Sequence, residues 1–190
     1  MGSQTIMMKA SRASESVPII ETDRLRLRGH SYDDLAHCVA MWSDPIVSRF
    51  IGGEPSTEQQ TWSRLLSYVG QWFIMGFGYW VIEEKATGHF VGEVGFADFK
   101  RDIDVSMKDS PELGFALASN YHGKGYATES VQAVLSWGDA HLRCRKTVCM
   151  INPQNLVSLH VTEKCGFEMF QQSTFNGAPV LFLARVQDTK

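Results

Sequence analysis

The sequence has few cysteines and no long hydrophobic run. Its 190 residues include four cysteines, and none of them forms a Cys-x-x-Cys pair or stands at zinc-ligand spacing from a histidine. A zinc site or a disulfide framework is therefore not indicated, and we expect buried thiols and no metal. No apolar stretch approaches the roughly 20 residues of a membrane-spanning helix, and the N-terminus lacks the regions of a signal peptide. We therefore expect a cytoplasmic protein.

An excess of positive charge is also absent. The chain carries 18 Lys and Arg against 21 Asp and Glu, which gives a formal net charge of −3 and a pI near 6.1. Because no basic stripe is available to neutralise phosphates, we expect no nucleic-acid partner. Arginines alternate with leucines over residues 24–28, a pattern typical of a strand with one solvent-facing side.

The size and composition indicate one globular domain. Hydrophobic residues make up 44% of the chain and charged residues 21%, and no internal repeat or low-complexity linker interrupts it. Residues 1–17 are rich in serine and other polar residues, so we expect them to form a flexible leader. Residues 18–190 are then a single domain.

Hydrophobic periodicity predicts that this domain is α/β, with mixed α+β order. Strands are predicted at residues 24–28, 79–83, 90–96, 112–118, 146–151, 167–173 and 180–186. Helices are predicted from Asp33 to the stop at Asp44-Pro45, from Ser56 or Thr57 to Gly76, from the glycine turn at 123–125 to about Leu142, and from Asn155 to Gly166. Asn176-Gly177 predicts the turn of the last hairpin.

A glycine-punctuated turn stands between the strand at 112–118 and the next helix. Gly123 and Gly125 surround Lys124, and such a loop lets several backbone N–H groups and the positive end of the helix dipole meet one anion. The spacing matches neither the dinucleotide fingerprint nor the Walker A pattern. The segment predicts a pyrophosphate site, and the alternative is an ordinary strand-turn-helix corner.

The turn resembles the acetyl-coenzyme A motif of the GNAT N-acetyltransferases, Gln/Arg-x-x-Gly-x-Gly/Ala, with His122 in the first position and Ala127 in the last. The element order over about residues 20–187 is also similar to that superfamily. The closest similarity is to ribosomal-protein N-terminal acetyltransferases of the RimJ and RimL type. It rests on residues 21–28, 78–82, 123–129, Asn155-x-x-Ser158 and 163–167.

The resemblance implies a mostly antiparallel twisted sheet with a splayed strand pair and about four helices. It implies acetyl-CoA as cosubstrate, with the pantetheine arm between the strands at 112–118 and 146–151. The cofactor-binding residues that it implies are the backbone of Phe115, Ala116 and Leu117, the loop residues His122, Gly123, Lys124, Gly125, Tyr126, Ala127 and Thr128, and on the next helix Asn155 and Ser158. For Asn155 the alternative is a helix cap.

The resemblance also indicates the groups that do the chemistry. Glu112 is the leading candidate for a base that acts through water, and Glu93 and Asp98 are the other candidates. The alternative for each is a solvated carboxylate at a strand end. The resemblance places Ser158 near the thiol. Thr162 stands where many relatives carry a tyrosine as general acid, and an aliphatic hydroxyl is a much weaker acid than a phenol. The proton donor to the thiolate is therefore left open between Ser158, a water molecule and no protein acid at all.

The resemblance leaves the amine acceptor open. A protein N-terminal α-amine is the first expectation, and a small amine such as a polyamine, antibiotic or amino acid is the second. A non-catalytic sensor of acetyl-CoA is a third, supported by Thr162. We expect the acceptor between the first two helices and the final hairpin, near Trp42, Phe50, Trp72 and the turn at 174–179, and a monomer or homodimer is expected.

Overall fold

The computed structural model describes residues 17–103, 105, 107 and 110–187. The strands are β1 (Ile20–Glu21), β2 (Leu25–Arg28), β3 (Tyr79–Glu84), β4 (Phe90–Ala97), β5 (Glu112–Leu117), β6 (Lys146–Ile151), β7 (Glu168–Phe175) and β8 (Ala178–Val186). The helices are α1 (Leu35–Trp42), α2 (Pro45–Ser48), α3 (Glu58–Met75), α4 (Tyr126–His141) and α5 (Leu156–Lys164). The leader expected at residues 1–17 lies outside the described part, except for Val17, which is buried in the core.

The strands form one eight-stranded sheet in the order β1-β2-β3-β4-β5-β6-β8-β7. Neighbouring strands are antiparallel, with the exception of β5 and β6, which are parallel. This is the mixed, mostly antiparallel fold that the sequence predicted. The final hairpin turns through Asn176 and Gly177, both with positive φ, and it folds back so that β8 rather than β7 pairs with β6.

Helices cover both faces of the sheet. Strand alternation directs Leu25, Trp80 and Phe96 into the larger core, where they meet Val131 and Val134 of α4. The opposite face of the sheet packs against α1 and α3 in a smaller cluster that includes Ala116 of β5. Because β5 contributes to both cores, its position is fixed from both sides.

Capping residues explain where the helices begin. Thr57 caps α3 in a capping box with Gln60, and Gly76 ends the helix in the left-handed conformation, as predicted. The sequence predicted only a stop at Asp44-Pro45, and about four helices in all. Instead Pro45 begins the short helix α2, because Asp44 Oδ1 accepts a hydrogen bond from the Ile46 N–H at 2.8 Å and proline suits a first helical position.

Within the described residues, none of the helices combines the length and the apolar composition that a membrane crossing requires.

Candidate active site

A gap opens between β5 and β6. The two strands pair only at Glu112 and Val148, where the Val148 N–H also donates to the Pro111 carbonyl at 3.1 Å. Beyond this point β5 remains bonded to β4 as far as Leu117, while β6 pairs with β8. The edge of β5 that faces β6 thus pairs with no strand of the described part over residues 113–117. Except for the Leu117 carbonyl, which lies 2.9 Å from His122 Nε2, the backbone groups on this edge are available to an extended ligand.

The glycine turn begins where the gap ends. Gly123 and Gly125 have φ values of 75° and 79°, which glycine adopts at little cost. The first backbone hydrogen bond of α4 runs from the Glu129 N–H to the Gly125 carbonyl. Among the described residues the N–H groups of Gly123, Lys124 and Gly125 find no hydrogen-bond partner. Together with the N–H groups of the first helical turn, they are the kind of donors that the predicted anion site requires, and the binding of a pyrophosphate there stays a prediction.

Arg24 and Glu129 hold this turn in place. Glu129 accepts hydrogen bonds from the Thr22 hydroxyl at 2.6 Å and from the backbone and Nε of Arg24 at 3.0 and 2.7 Å. Arg24 also donates to the Lys124 carbonyl at 2.9 Å. Burial raises the pKa of Glu129, but the bonds from Thr22 and Arg24 outweigh burial and bring it below its ordinary value. Sequence reasoning assigned no role to Arg24, because its alternation with leucines indicated only a solvent-facing side chain.

The side chains of the turn bond to protein groups. His122 Nε2 lies 2.9 Å from the Leu117 carbonyl, Lys124 Nζ lies 4.7 Å from the centre of the Tyr121 ring, and the Tyr126 hydroxyl donates to Glu84 at 2.5 Å. These contacts shape the loop, while the backbone supplies the donors for an anion. The role of His122 and Lys124 beside a pyrophosphate stays a prediction.

Asn155 begins α5, the helix after β6. Its Oδ1 accepts a hydrogen bond from the Ser158 N–H at 3.2 Å, which confirms the interpretation of Asn155 as a helix cap. Ser158 is half-buried. Thr162 is fully buried, and its hydroxyl donates to the carbonyls of Ser158 and Leu159 at 3.1 and 3.0 Å. Since the only proton of that hydroxyl is already shared between two carbonyls, Thr162 does not replace the missing tyrosine.

Glu112 lies where β5 and β6 still pair. The residue is 7% exposed, and its carboxylate receives two hydrogen bonds from Arg101, from Nε at 2.7 Å and from Nη2 at 2.8 Å. The Arg101 guanidinium lies 4.6 Å from the Phe99 ring centre and 5.0 Å from that of Phe175, in the final hairpin. Burial lowers the pKa of Arg101, but the bonds to Glu112 more than compensate and raise it. Sequence reasoning missed Arg101, because the segment at 100–110 has no recognisable pattern.

The two other candidate carboxylates are also engaged. Glu93 is buried and accepts bonds from His30 at 2.9 Å, Cys38 at 3.3 Å and the Trp42 indole at 2.8 Å. Asp98 accepts bonds from the side chain and backbone of Lys100, at 2.6 and 3.2 Å. Thus all three candidate bases already have donors, and Glu93 is the one that solvent does not reach.

Two of the predicted acceptor-lining aromatics pack in the protein interior. Trp42 is buried and bonded to Glu93. Trp72 contacts Trp80 and Trp137 edge-on. A cleft of about 710 Å³ lies instead around Glu112. Its walls include Met75, Phe77, Asp98, Arg101, Ile103, Val105 and Met107.

The free edge of β5 and the unpaired N–H groups at its end suit a ligand with an extended arm and a pyrophosphate. Coenzyme A has this form. A mostly antiparallel sheet with one splayed parallel pair and an anion turn directly after it defines a coenzyme A-dependent acyltransferase.

The comparison with protein families agrees. The family described as acetyltransferase (GNAT) domain matches residues 24–168, so the chain belongs to the GNAT family. It is an N-acetyltransferase that takes its acetyl group from acetyl-CoA.

Individual proteins are similar over most of the chain. YkkB of Bacillus subtilis (strain 168), an uncharacterised protein, is 30% identical over 76% of this chain and 82% of its own. A putative GNAT-family acetyltransferase from Bordetella pertussis is 31% identical, with a TM-score of 0.78 over 89% of this chain and 99% of its own. RimL, a ribosomal L7/L12 α-N-protein acetyltransferase solved with coenzyme A, has a TM-score of 0.73 over 90% of this chain and 99% of its own. At 16% identity RimL shares the fold.

Proposed function

We propose that the protein acetylates a protein N-terminal α-amine. This choice rests on the hydrogen bonds that the carboxylates beside the gap already accept from protein groups. Glu112 is clamped by Arg101 and Glu93 by three donors, so both carboxylates already use lone pairs on protein donors, and little acceptor capacity is left for the proton of a charged amine.

Carboxylates engaged in this way suit only an acceptor amine that is already partly neutral at the working pH. An α-amine with a pKa near ~8 is roughly one tenth neutral at pH 7, whereas a lysine-type amine with a pKa near ~10.4 is neutral in less than about one molecule in a thousand. The site therefore suits an α-amine better than a polyamine. RimL, an α-N-protein acetyltransferase with the same fold, supports the same choice.

In this proposal, backbone and side-chain groups of β5, the glycine turn and α5 bind the cosubstrate. The backbone of Phe115, Ala116 and Leu117 holds the pantetheine arm in the gap, and the N–H groups from Gly123 to Thr128 hold the pyrophosphate. Bound acetyl-CoA supplies an activated acetyl group, which the amine attacks directly; as the C–N bond forms, the C–S bond breaks and coenzyme A leaves as its thiolate, which takes up a proton from water. Asn155 and Ser158 lie at the start of α5, where the Asn155 amide contacts the arm and the Ser158 hydroxyl hydrogen-bonds near the thiol.

Glu112 takes the proton of the amine through a water molecule. Arg101 occupies one lone pair on each carboxylate oxygen, and a carboxylate has about four such positions, so a water molecule still finds an acceptor. Arg101 then fixes the direction of the carboxylate.

The first prediction concerns this base. Glu112→Gln is expected to lower kcat/KM about a hundredfold, the lower range for general base catalysis. The loss should be larger at low pH, where less of the amine is neutral. Initial rates of coenzyme A release from pH 6 to 9 measure it.

Arg101→Gln is the control, because it breaks the same ion pair and leaves the carboxylate in place. A structural role for the pair predicts equal losses in both variants with no dependence on pH. Turnover of Glu112→Gln equal to that of the unchanged protein at every pH would remove Glu112 from the mechanism.

The second prediction concerns the acceptor. In a coenzyme A release assay with N-terminal peptides, polyamines, aminoglycosides and amino acids, the peptides should give the highest kcat/KM. A blocked peptide with an acetylated N-terminus and a free lysine is the matched control and should be inactive. Preference for an aminoglycoside or polyamine would favour the small-amine alternative, and tight acetyl-CoA binding with no turnover on any amine would favour the sensor.

A further inference from the structure

Tyr79 reaches from β3 across the sheet to β5. It pairs in register with Gly95 of β4, which itself pairs with Gly114 of β5. A Cβ atom placed on Gly114 would lie 1.9 Å from the Tyr79 hydroxyl. The hydroxyl thus fills the space that a side chain at position 114 would occupy, and it lies directly on the backbone of β5.

Packing holds the Tyr79 ring in this position. The ring stacks on Tyr68, with centres 4.0 Å apart and planes 5° from parallel, and the two residues are 6% and 2% exposed. No group of the described residues makes a hydrogen bond with the Tyr79 hydroxyl. The hydroxyl is not among the fully buried polar atoms that lack a partner, so it keeps some access to solvent although the residue as a whole is buried. A ligand group that lies beside β5 therefore finds a phenol donor with no competing protein partner.

We infer that the Tyr79 hydroxyl donates a hydrogen bond to the acetyl carbonyl oxygen of bound acetyl-CoA. This rests on the proposed placement of the cofactor. From the anion turn at the end of β5, the pantetheine arm passes Leu117 and Phe115, so its acetyl end reaches the level of Gly114. There the phenol meets the oxygen on which negative charge develops when the amine attacks.

The environment of Tyr79 suits a hydrogen-bond donor that stays neutral. Burial raises its pKa well above the ordinary value, and the nearby Tyr68, Glu112 and Glu93 add to this effect. The hydroxyl therefore keeps its proton at every working pH and stabilises charge without transferring the proton. The phenol of this site is thus supplied by Tyr79 on β3. The hydroxyl of Thr162 on α5 bonds to carbonyls of its own helix.

Tyr79→Phe tests this assignment. Removal of one hydrogen-bond donor to a developing oxyanion lowers kcat about 10²- to 10³-fold. We expect the kcat of Tyr79→Phe to fall by a factor in that range, with an unchanged pH profile. The Kd for free coenzyme A, which has no acetyl group, should stay the same. The free energy of unfolding should stay close to that of the unchanged protein, because the hydroxyl that the variant removes has no hydrogen-bond partner among the described residues.

A second measurement does not depend on turnover. With acetyl-CoA labelled with ¹³C at the carbonyl, the resonance of the bound carbonyl should shift downfield in the unchanged protein, and most of this shift should be lost in Tyr79→Phe. Tyr68→Phe removes a hydroxyl from the other ring of the same stack and should keep the shift.

The outcomes separate this inference from the proposed function. An equal carbonyl shift in the unchanged protein and in Tyr79→Phe would overturn the assignment of Tyr79 and leave the acetyl-CoA site intact. An unchanged protein that does not bind acetyl-CoA would overturn both. A polyamine acceptor in the turnover assay would overturn only the proposed acceptor, because the carbonyl measurement contains no amine.

Discussion

Gly125→Glu is expected to weaken acetyl-CoA binding at least a hundredfold, which corresponds to about 2.7 kcal/mol. Gly125 has a φ of 79°, and a Cβ atom there would lie 3.4 Å from Arg24 Nη2. A side chain at this position is strained and crowds the arginine that holds the turn. Its carboxylate also brings negative charge to a site that binds a pyrophosphate. Calorimetric titration with acetyl-CoA measures the change.

Gly166→Glu is the matched control for this variant. Gly166 has a similar φ of 81° and open space around its Cβ position, but it follows the C-terminal end of α5 and lines neither of the two clefts around Glu112 and around Ser119. The control variant therefore acquires the same charge and similar backbone strain outside the glycine turn, and its affinity for acetyl-CoA should stay within about twofold of the unchanged protein. Equal affinities of the two variants would show that the turn at 123–125 does not bind the pyrophosphate.

Glu93→Ala is expected to lower the free energy of unfolding by about 3–5 kcal/mol, the cost of removing one partner of a buried charged pair. Glu93 is 1% exposed and joins the loop residue His30 to Cys38 and Trp42 of α1. The variant leaves the indole N–H and the imidazole without their acceptor, and it opens a cavity. Urea unfolding followed by tryptophan fluorescence and by circular dichroism measures the loss.

The same carboxylate predicts how stability depends on pH. Burial raises the pKa of Glu93, but the hydrogen bond and charge of His30 and the bonds from Trp42 and Cys38 outweigh burial and lower it overall. Because the folded-state pKa lies below the unfolded value of about 4.3, the contribution of Glu93 is complete above that pH. It is lost as the pH falls through the folded-state pKa.

Urea midpoints of the unchanged protein should therefore fall between pH 5 and 3 more steeply than those of Glu93→Gln, which cannot ionise. The control is Glu163→Gln, since the side chain of Glu163 is 81% exposed, and its pH dependence should match that of the unchanged protein. Parallel curves for Glu93→Gln and the unchanged protein would show that folding does not lower the pKa of Glu93.

Local sequence patterns were sufficient for the main elements of the fold and for the glycine turn at 123–125. Alternating and helical periodicity predicted the long strands and helices, because side chains that share one face of an element must reach the same core. Thr57, Gly76 and Asn176-Gly177 marked boundaries through their own backbone preferences. The turn at 123–125 was predictable for the same reason, since its glycines and the helix start supply the donors locally.

The side-chain contacts of the site depend on residues that are distant along the chain. Arg101 clamps Glu112, and Arg24 binds Glu129, 105 residues away. Tyr79 meets Gly114 only because the registers of β3, β4 and β5 place Gly95 between them. A one-residue change of register would turn these side chains to the opposite face of the sheet. The sequence alone thus determined the elements, the anion turn and the family resemblance, whereas strand pairing in the tertiary structure decided which charges, phenols and backbone groups meet.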